Sequence, residues 1–169
     1  MRASPRIRGH SLRLENDPRN QCIGSGPRNP RGLRLEFRRV RGVVATRLRT
    51  DATMEGWPER IHSGVLYIAM LETANWTIFG FGGTVGVPIR TGALDLRRWV
   101  ATGETLHLRG TPGPLRGRRR TVTVEARDGR GWLVATINRT FVLAPLDEFL
   151  KRMGYSAVPP VLEGLVPTR

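Results

Sequence analysis

At 169 residues, with 39% hydrophobic and 25% charged side chains, the chain has the size and balance of one globular domain built on a single substantial core. Its single cysteine, Cys22, excludes an internal disulfide framework and a cysteine pair for a metal, which fits a reducing cytoplasm. The net charge of +14 suits an anionic partner (nucleic acid, an anionic membrane surface or a phosphate-bearing cofactor), but Lys151 is the only lysine among 28 basic residues, which points to codon bias more than to selection at any one site.

The first segment, "MRASPRIRGHSLRL", has no continuous apolar stretch of the kind a secretory signal requires. Residues 1–30 are rich in Arg, Asn, Gly and Pro without periodicity, which predicts an irregular arm ahead of a single domain over residues 31–153. From Leu33 to Leu48 apolar and charged residues alternate on both sides of Arg41-Gly42, the pattern of a hairpin with one face on a core; Leu33, Leu35 and Phe37 share that face. Helix formers then take over, and apolar positions cover almost the whole circumference from Val65 to Phe79, which predicts an enclosed helix ended by "GFGG" at 80–83. The longest apolar run, Val65 to Leu71, is too short to span a bilayer.

Three further strand regions follow: 84–100 with a break at Pro88, 105–108 continuing through a Pro/Gly turn into 118–127, and 132–143. "RDGRG" at 127–131 is a hairpin turn, "PLDEFLKRM" a short helix with Asp147 and Glu148 at its positive end, and residues 154–169 a loose Pro-rich tail. One long helix early in a chain of antiparallel strands implies an α+β domain whose sheet wraps the helix.

Within that helix stands one acid, Glu72. Burying an ionised carboxylate without partners costs several kcal/mol or raises its pKa, so Glu72 is either satisfied by a neighbour or kept for chemistry.

Three stretches resemble the hotdog-fold thioesterases, most closely the phenylacetate-degradation (PaaI-like) branch. "CIGSGPRNPRGLRLEF", Cys22 to Phe37, is similar to C-x-x-C-G-x-x-N-P-x-G-L-x-L, with Ser25 where the second cysteine often occurs. "GWPERIHSGVLYIAMLETANW", Gly56 to Trp76, is similar to G-x-P-G-x-x-H-G-G-V-L-x-x-L-L-D-E-x-x-x-W. "TGALDLRRWVATGETLHLRG", Thr91 to Gly110, with the hairpin after it, resembles the family's strand, P-x-x-x-G-E turn and final strands.

The resemblance implies a homodimer or dimer of dimers with sites shared between subunits, an acyl-CoA substrate, and no cofactor beyond the coenzyme A that belongs to that substrate. It places the thioester carbonyl at the start of the central helix, where unpaired N–H groups of Ser63 and Gly64 would polarise it and His62 would orient the site. The family's acid falls nine positions after the histidine, where this chain has Leu71. Glu72 is the tenth, turned about 100° away around the helix.

As a functional residue, Glu72 is a base or nucleophile toward the thioester; as a structural one, it is a carboxylate held by an arginine or a dimer neighbour. Glu55, in the loop before the helix, is a second candidate acid. His10 and His107 have no companions at metal-ligand spacing, so no metal is expected, and Cys22 reads as a packing residue. "RGRRR" offers Arg116, Arg118, Arg119 and Arg120 either as a clamp for coenzyme A phosphates or as charges that guard a strand edge. Two classes of function follow: an acyl-CoA thioesterase, and a non-catalytic acyl-CoA binder. Nucleic-acid binding rests on charge alone.

Overall fold

The computed structural model describes residues 11–82 and 85–160. Residues 1–10 (His10 included), Gly83, Thr84 and residues 161–169, on which parts of the expected arm, helix end, strand and tail fall, lie outside them. Among the described residues there are ten strands: β1 Ser11–Leu14, β2 Phe37–Val40, β3 Val43–Arg49, β4 Glu55–Trp57, β5 Arg60–Ile61, β6 Val85–Thr91, β7 Asp95–Leu96, β8 Thr105–Pro112, β9 Arg119–Arg127 and β10 Leu133–Ala144. Two helices accompany them, α1 Ser63–Gly82 and α2 Leu146–Arg152. The main sheet is antiparallel with the order β1-β2-β3-β8-β9-β10-β6, and β7 also pairs with β10. The α+β architecture expected from the sequence is therefore observed.

The β2–β3 hairpin turns where the alternation breaks. Arg41 (φ 44°) and Gly42 (φ 76°) both adopt the left-handed conformation that a two-residue turn needs to match strand twist. Helix α1 lies on one face of the sheet. Leu66, Ala69, Met70, Thr73, Ala74, Thr77 and Ile78 are buried there against Val44, Leu48, Leu106, Leu108, Val122 and Val124. Thr73 and Thr77 are tolerated in that interface because each hydroxyl donates to the carbonyl four residues back, at 2.7 Å. Gly110 on β8 brings the sheet directly against Thr77 and Thr73. At the far end, Arg39 donates to the Gly80 carbonyl at 2.9 Å and lies over the Phe81 ring, closing the helix C-terminus.

Several expectations change. The arm over residues 1–30 is not irregular throughout: Ser11–Leu14 pairs with β2 and continues the sheet, covering an edge that would otherwise expose unpaired backbone groups. Leu33 and Leu35 precede strand β2 and instead donate their N–H groups to Ile23 and Gly24, at 2.8 and 3.0 Å. Pro88 does not end β6; a register shift opposite Thr140 and Phe141 absorbs it on a strand that pairs on one side, where a missing N–H is harmless. The helix is enclosed on its sheet side, while Val65, Tyr67, Ile68 and Leu71 remain half-buried.

Electrostatic contacts tie the loops down. Arg98 bonds both Glu104 oxygens, at 3.1 and 2.7 Å, and Asp128 at 2.9 Å, linking the turn before β8 to the turn between β9 and β10. Its guanidinium is the first cause holding the Glu104 carboxyl below the usual carboxylate range. His107 lies between Arg47 and Arg127 in the strand register, and burial, then Arg47 and Arg109, push its pKa down.

Candidate active site

A cavity of about 690 Å³ opens beside the C-terminal half of α1. Its apolar wall includes Trp76, Phe79, Val87, Phe141, Phe149 and Met153, and its polar side chains are Glu72, Asn75, Arg139, Ser25 and Cys22 with Asn16, Asp17, Asn20 and Glu15 from the N-terminal segment. The helical spacing of 72, 75, 76 and 79 sets these four side chains on one face, which is why they meet in one space.

Glu72 is both satisfied and available. Its Oε1 accepts from the Ser25 hydroxyl at 2.6 Å, from the Trp76 indole N–H at 3.0 Å and from the Cys22 thiol at 3.5 Å. Its Oε2 accepts from Asn75 at 3.2 Å. One oxygen is thus held by three donors and the other by a single donor on the cavity wall. Gly24 permits this arrangement, since a Cβ there would sit 2.7 Å from Glu72 Cγ. The loop from residue 22 to 26 is itself fixed: Asn16 donates to the Ser25 carbonyl at 2.8 Å, and Asn20 accepts from the Cys22 N–H at 2.8 Å.

Arg139 completes the polar end. From β10 it reaches α1, donating to the Leu71 carbonyl at 3.3 Å and to Asn75 Oδ1 at 3.1 Å, with its guanidinium 5.4 Å from the Phe141 ring centre. Burial pushes its pKa down, while Tyr67 and Glu72 favour the charged form. The sequence signal for Arg139 is a cation in an otherwise apolar alternation, Ile137-x-Arg139-x-Phe141, which places it on the buried side of a strand.

The other expected residues lie elsewhere. His62 caps the helix: its Nδ1 accepts from the Gly64 N–H at 2.9 Å, so that N–H already has a partner in this chain. Ser63 is the first residue of α1, nine residues and so about 13 Å along the axis from Glu72. A smaller cavity of about 330 Å³ adjoins this end, between Leu33, Met54, Val65 and Ile68. Leu71, at the position where the resemblance expects an acid, packs half-buried against the core. Glu55 is exposed on β4 and accepts from the Glu59 N–H at 3.2 Å, and it lines neither cavity.

The arginine run is not at the helix start either. Thr50 meets the Glu104 backbone and Ile61 meets Val100 near that start, whereas β8 ends beyond Gly110, beside Thr77. The turn that carries Arg116 therefore lies at the opposite end of the sheet, on the side of the large cavity. Arg120 pairs across from Phe141, a cavity residue, and is half-buried with its Nε unpartnered. Arg118 binds Glu148 on α2 at 2.9 Å and the Leu143 carbonyl at 3.1 Å. Arg116 and Arg119 are exposed.

No family model and no curated protein matches the sequence. Solved structures do match the fold. A thioesterase superfamily protein superposes with a TM-score of 0.66 at 20% identity, over 72% of this chain and 63% of that one. This chain hotdog. The fold is the hotdog fold. The PaaI protein from the phenylacetic acid degradation operon of E. coli follows with 0.61 at 15% identity, over 66% of this chain and 80% of that one. A hypothetical thioesterase of Streptococcus pneumoniae, solved with coenzyme A, gives 0.60 at 14% identity, over 66% and 86%. The hotdog domain here therefore spans less than two thirds of the length of the first of these proteins. Among the described residues no helix is long and apolar enough to cross a membrane.

Proposed function

We propose that this hotdog protein hydrolyses acyl-CoA thioesters, with the acyl group in the large cavity and Glu72 as the base. The observation that carries the reading is the unequal occupancy of the carboxylate of a cavity-lining residue: Oε1 is anchored by three donors, whereas Oε2 has Asn75 as its one donor among the described residues. In the reaction, a water oxygen bonds to the thioester carbon as its proton passes to Oε2, and the carbonyl electrons move onto the oxygen. Collapse restores the carbonyl and breaks the C–S bond, and the departing sulfur takes the proton from Glu72, leaving a free acid and coenzyme A. General-base assistance of this kind contributes about 10²–10⁴-fold.

Arg116 and Arg119 are the groups proposed for the coenzyme A phosphates, since they lie on the cavity side of the molecule; Arg120 borders the cavity wall and Arg118 is engaged with Glu148. Calorimetric titration with coenzyme A should show binding at low salt that weakens as salt rises, because exposed charge pairs are screened over about 10 Å at 0.1 M. Absence of binding at low salt ends the coenzyme A reading.

The helix start with Ser63 can reach the Glu72 site only from a second copy, given the separation of about 13 Å along one helix. We place that copy at β6, whose outer edge is unpaired among the described residues and whose Ile89 is exposed. Light scattering should give a dimer or larger, and Ile89→Glu should shift it toward monomer. A parent that stays monomeric at micromolar concentrations removes the shared site.

A second reading, an acyl-CoA binder without hydrolysis, is favoured by one observation: the donors on Oε1 come from the loop at Cys22 and Ser25, so Glu72 also fastens that loop to the helix while Leu71 takes the position expected for the acid.

A further inference from the structure

Arg139 is a cation that its surroundings leave incompletely used. It forms no ion pair within 4.0 Å among the described residues, and its Nε is buried without a partner. One of its terminal nitrogens is fixed to α1 through the Leu71 carbonyl and Asn75. Keeping such a cation half-buried beside apolar side chains without an opposing charge is unfavourable, so it is a candidate to meet charge that a ligand brings or develops.

The ligand group follows from the neighbours. Asn75 touches both Glu72 and Arg139: its amide nitrogen donates to Glu72 Oε2 at 3.2 Å, and its carbonyl oxygen accepts from Arg139 at 3.1 Å. A single carboxamide therefore spans the base and the cation. Base and cation thus stand on either side of one side chain at the polar end of the cavity, an order that suits one carbonyl with the base toward its carbon and the guanidinium toward its oxygen. An acyl group ending in a carboxylate fits less well, because Glu15, Asp17 and Glu72 line the same cavity. A neutral carbonyl that becomes negative only during reaction suits the cation without adding a standing negative charge.

We propose that Arg139 is a catalytic residue that donates to the thioester carbonyl oxygen and holds the negative charge formed there when Glu72 delivers water, with Asn75 setting the distance between the two. The proposal rests on the thioesterase reading and supplies, from the same chain as the base, a donor that the capped Gly64 N–H does not.

The test combines kinetics with a carbonyl probe. Arg139→Met should lower kcat for a short acyl-CoA by about a hundredfold or more, as expected for loss of one donor to a developing oxyanion, with KM changed only a few-fold. Arg139→Lys should retain part of the rate, and added guanidinium salt at millimolar concentration should restore part of it to Arg139→Met. Independently of turnover, a coenzyme A ketone in which a methylene replaces the thioester sulfur, labelled with ¹³C at the carbonyl, should show a downfield-shifted resonance when bound to the parent and a smaller shift with either variant. An active parent whose kcat and carbonyl shift survive Arg139→Met and Arg139→Lys overturns the assignment and leaves the thioesterase reading standing. An inactive parent that binds the ketone with a shifted carbonyl overturns hydrolysis and the catalytic role, while the Arg139 contact stands; an inactive parent with an unshifted carbonyl overturns both.

Discussion

Glu72→Gln should lower kcat for a short or aromatic acyl-CoA by on the order of a hundredfold or more while leaving coenzyme A affinity nearly unchanged. The glutamine carbonyl can still accept from Ser25 and Trp76, which anchor Oε1 at 2.6 and 3.0 Å, so the loop stays attached to the helix. What disappears is the basic oxygen beside Asn75, replaced by an amide that cannot take a proton. If Glu72 serves only to fasten the loop, the substitution changes thermal stability and little else. Leu71→Asp makes the complementary test, because it puts an acid at the ninth position after His62. Hydrolysis gained by Leu71→Asp from an inactive parent favours the binder. Strong activity in the parent that survives Glu72→Gln removes Glu72 as the base.

Gly24→Ala should damage stability and catalysis together. A Cβ at that position would lie 2.7 Å from Glu72 Cγ and 2.9 Å from its Cβ, the stiff stem of the side chain, so the loop or the helix must move. Overpacking of this kind costs about 1–3 kcal/mol, which thermal unfolding would register as a fall of several degrees. Displacing a catalytic carboxylate by about 1 Å costs up to about a hundredfold in rate. Ser25→Ala separates the two effects, since it deletes a donor to Oε1 without pushing Glu72 aside. Unchanged melting and unchanged kcat in Gly24→Ala would mean that the loop seats on Glu72 more loosely than the distances show.

Local pattern determined much of this protein. The alternation around Arg41-Gly42, the helical run from Val65 to Phe79 and the "RDGRG" turn each depend on neighbours in the chain, through side-chain periodicity and left-handed turn positions, and each occurs where the sequence puts it. Ser11–Leu14 is hidden for the opposite reason: Leu12 and Leu14 alternate with polar residues over only four positions, too short a pattern to mark a strand until β2 offers it an edge. The acid in the helix was legible as a question, and its answer was not. Cys22 and Ser25 lie about fifty residues from Glu72 in the chain and touch it only after the N-terminal loop folds over α1. Arg139 is 64 residues from Asn75, and the arginine run lies at the end of the sheet away from His62 because β8 carries it past Gly110 to the C-terminal half of the helix. Periodicity determines which face of a strand or helix a residue occupies, and so the sequence alone decided the elements and the buried faces. Which of those faces meet is decided by sheet order and by how closely small residues such as Gly24 and Gly110 let the layers approach, and that belongs to the tertiary structure alone.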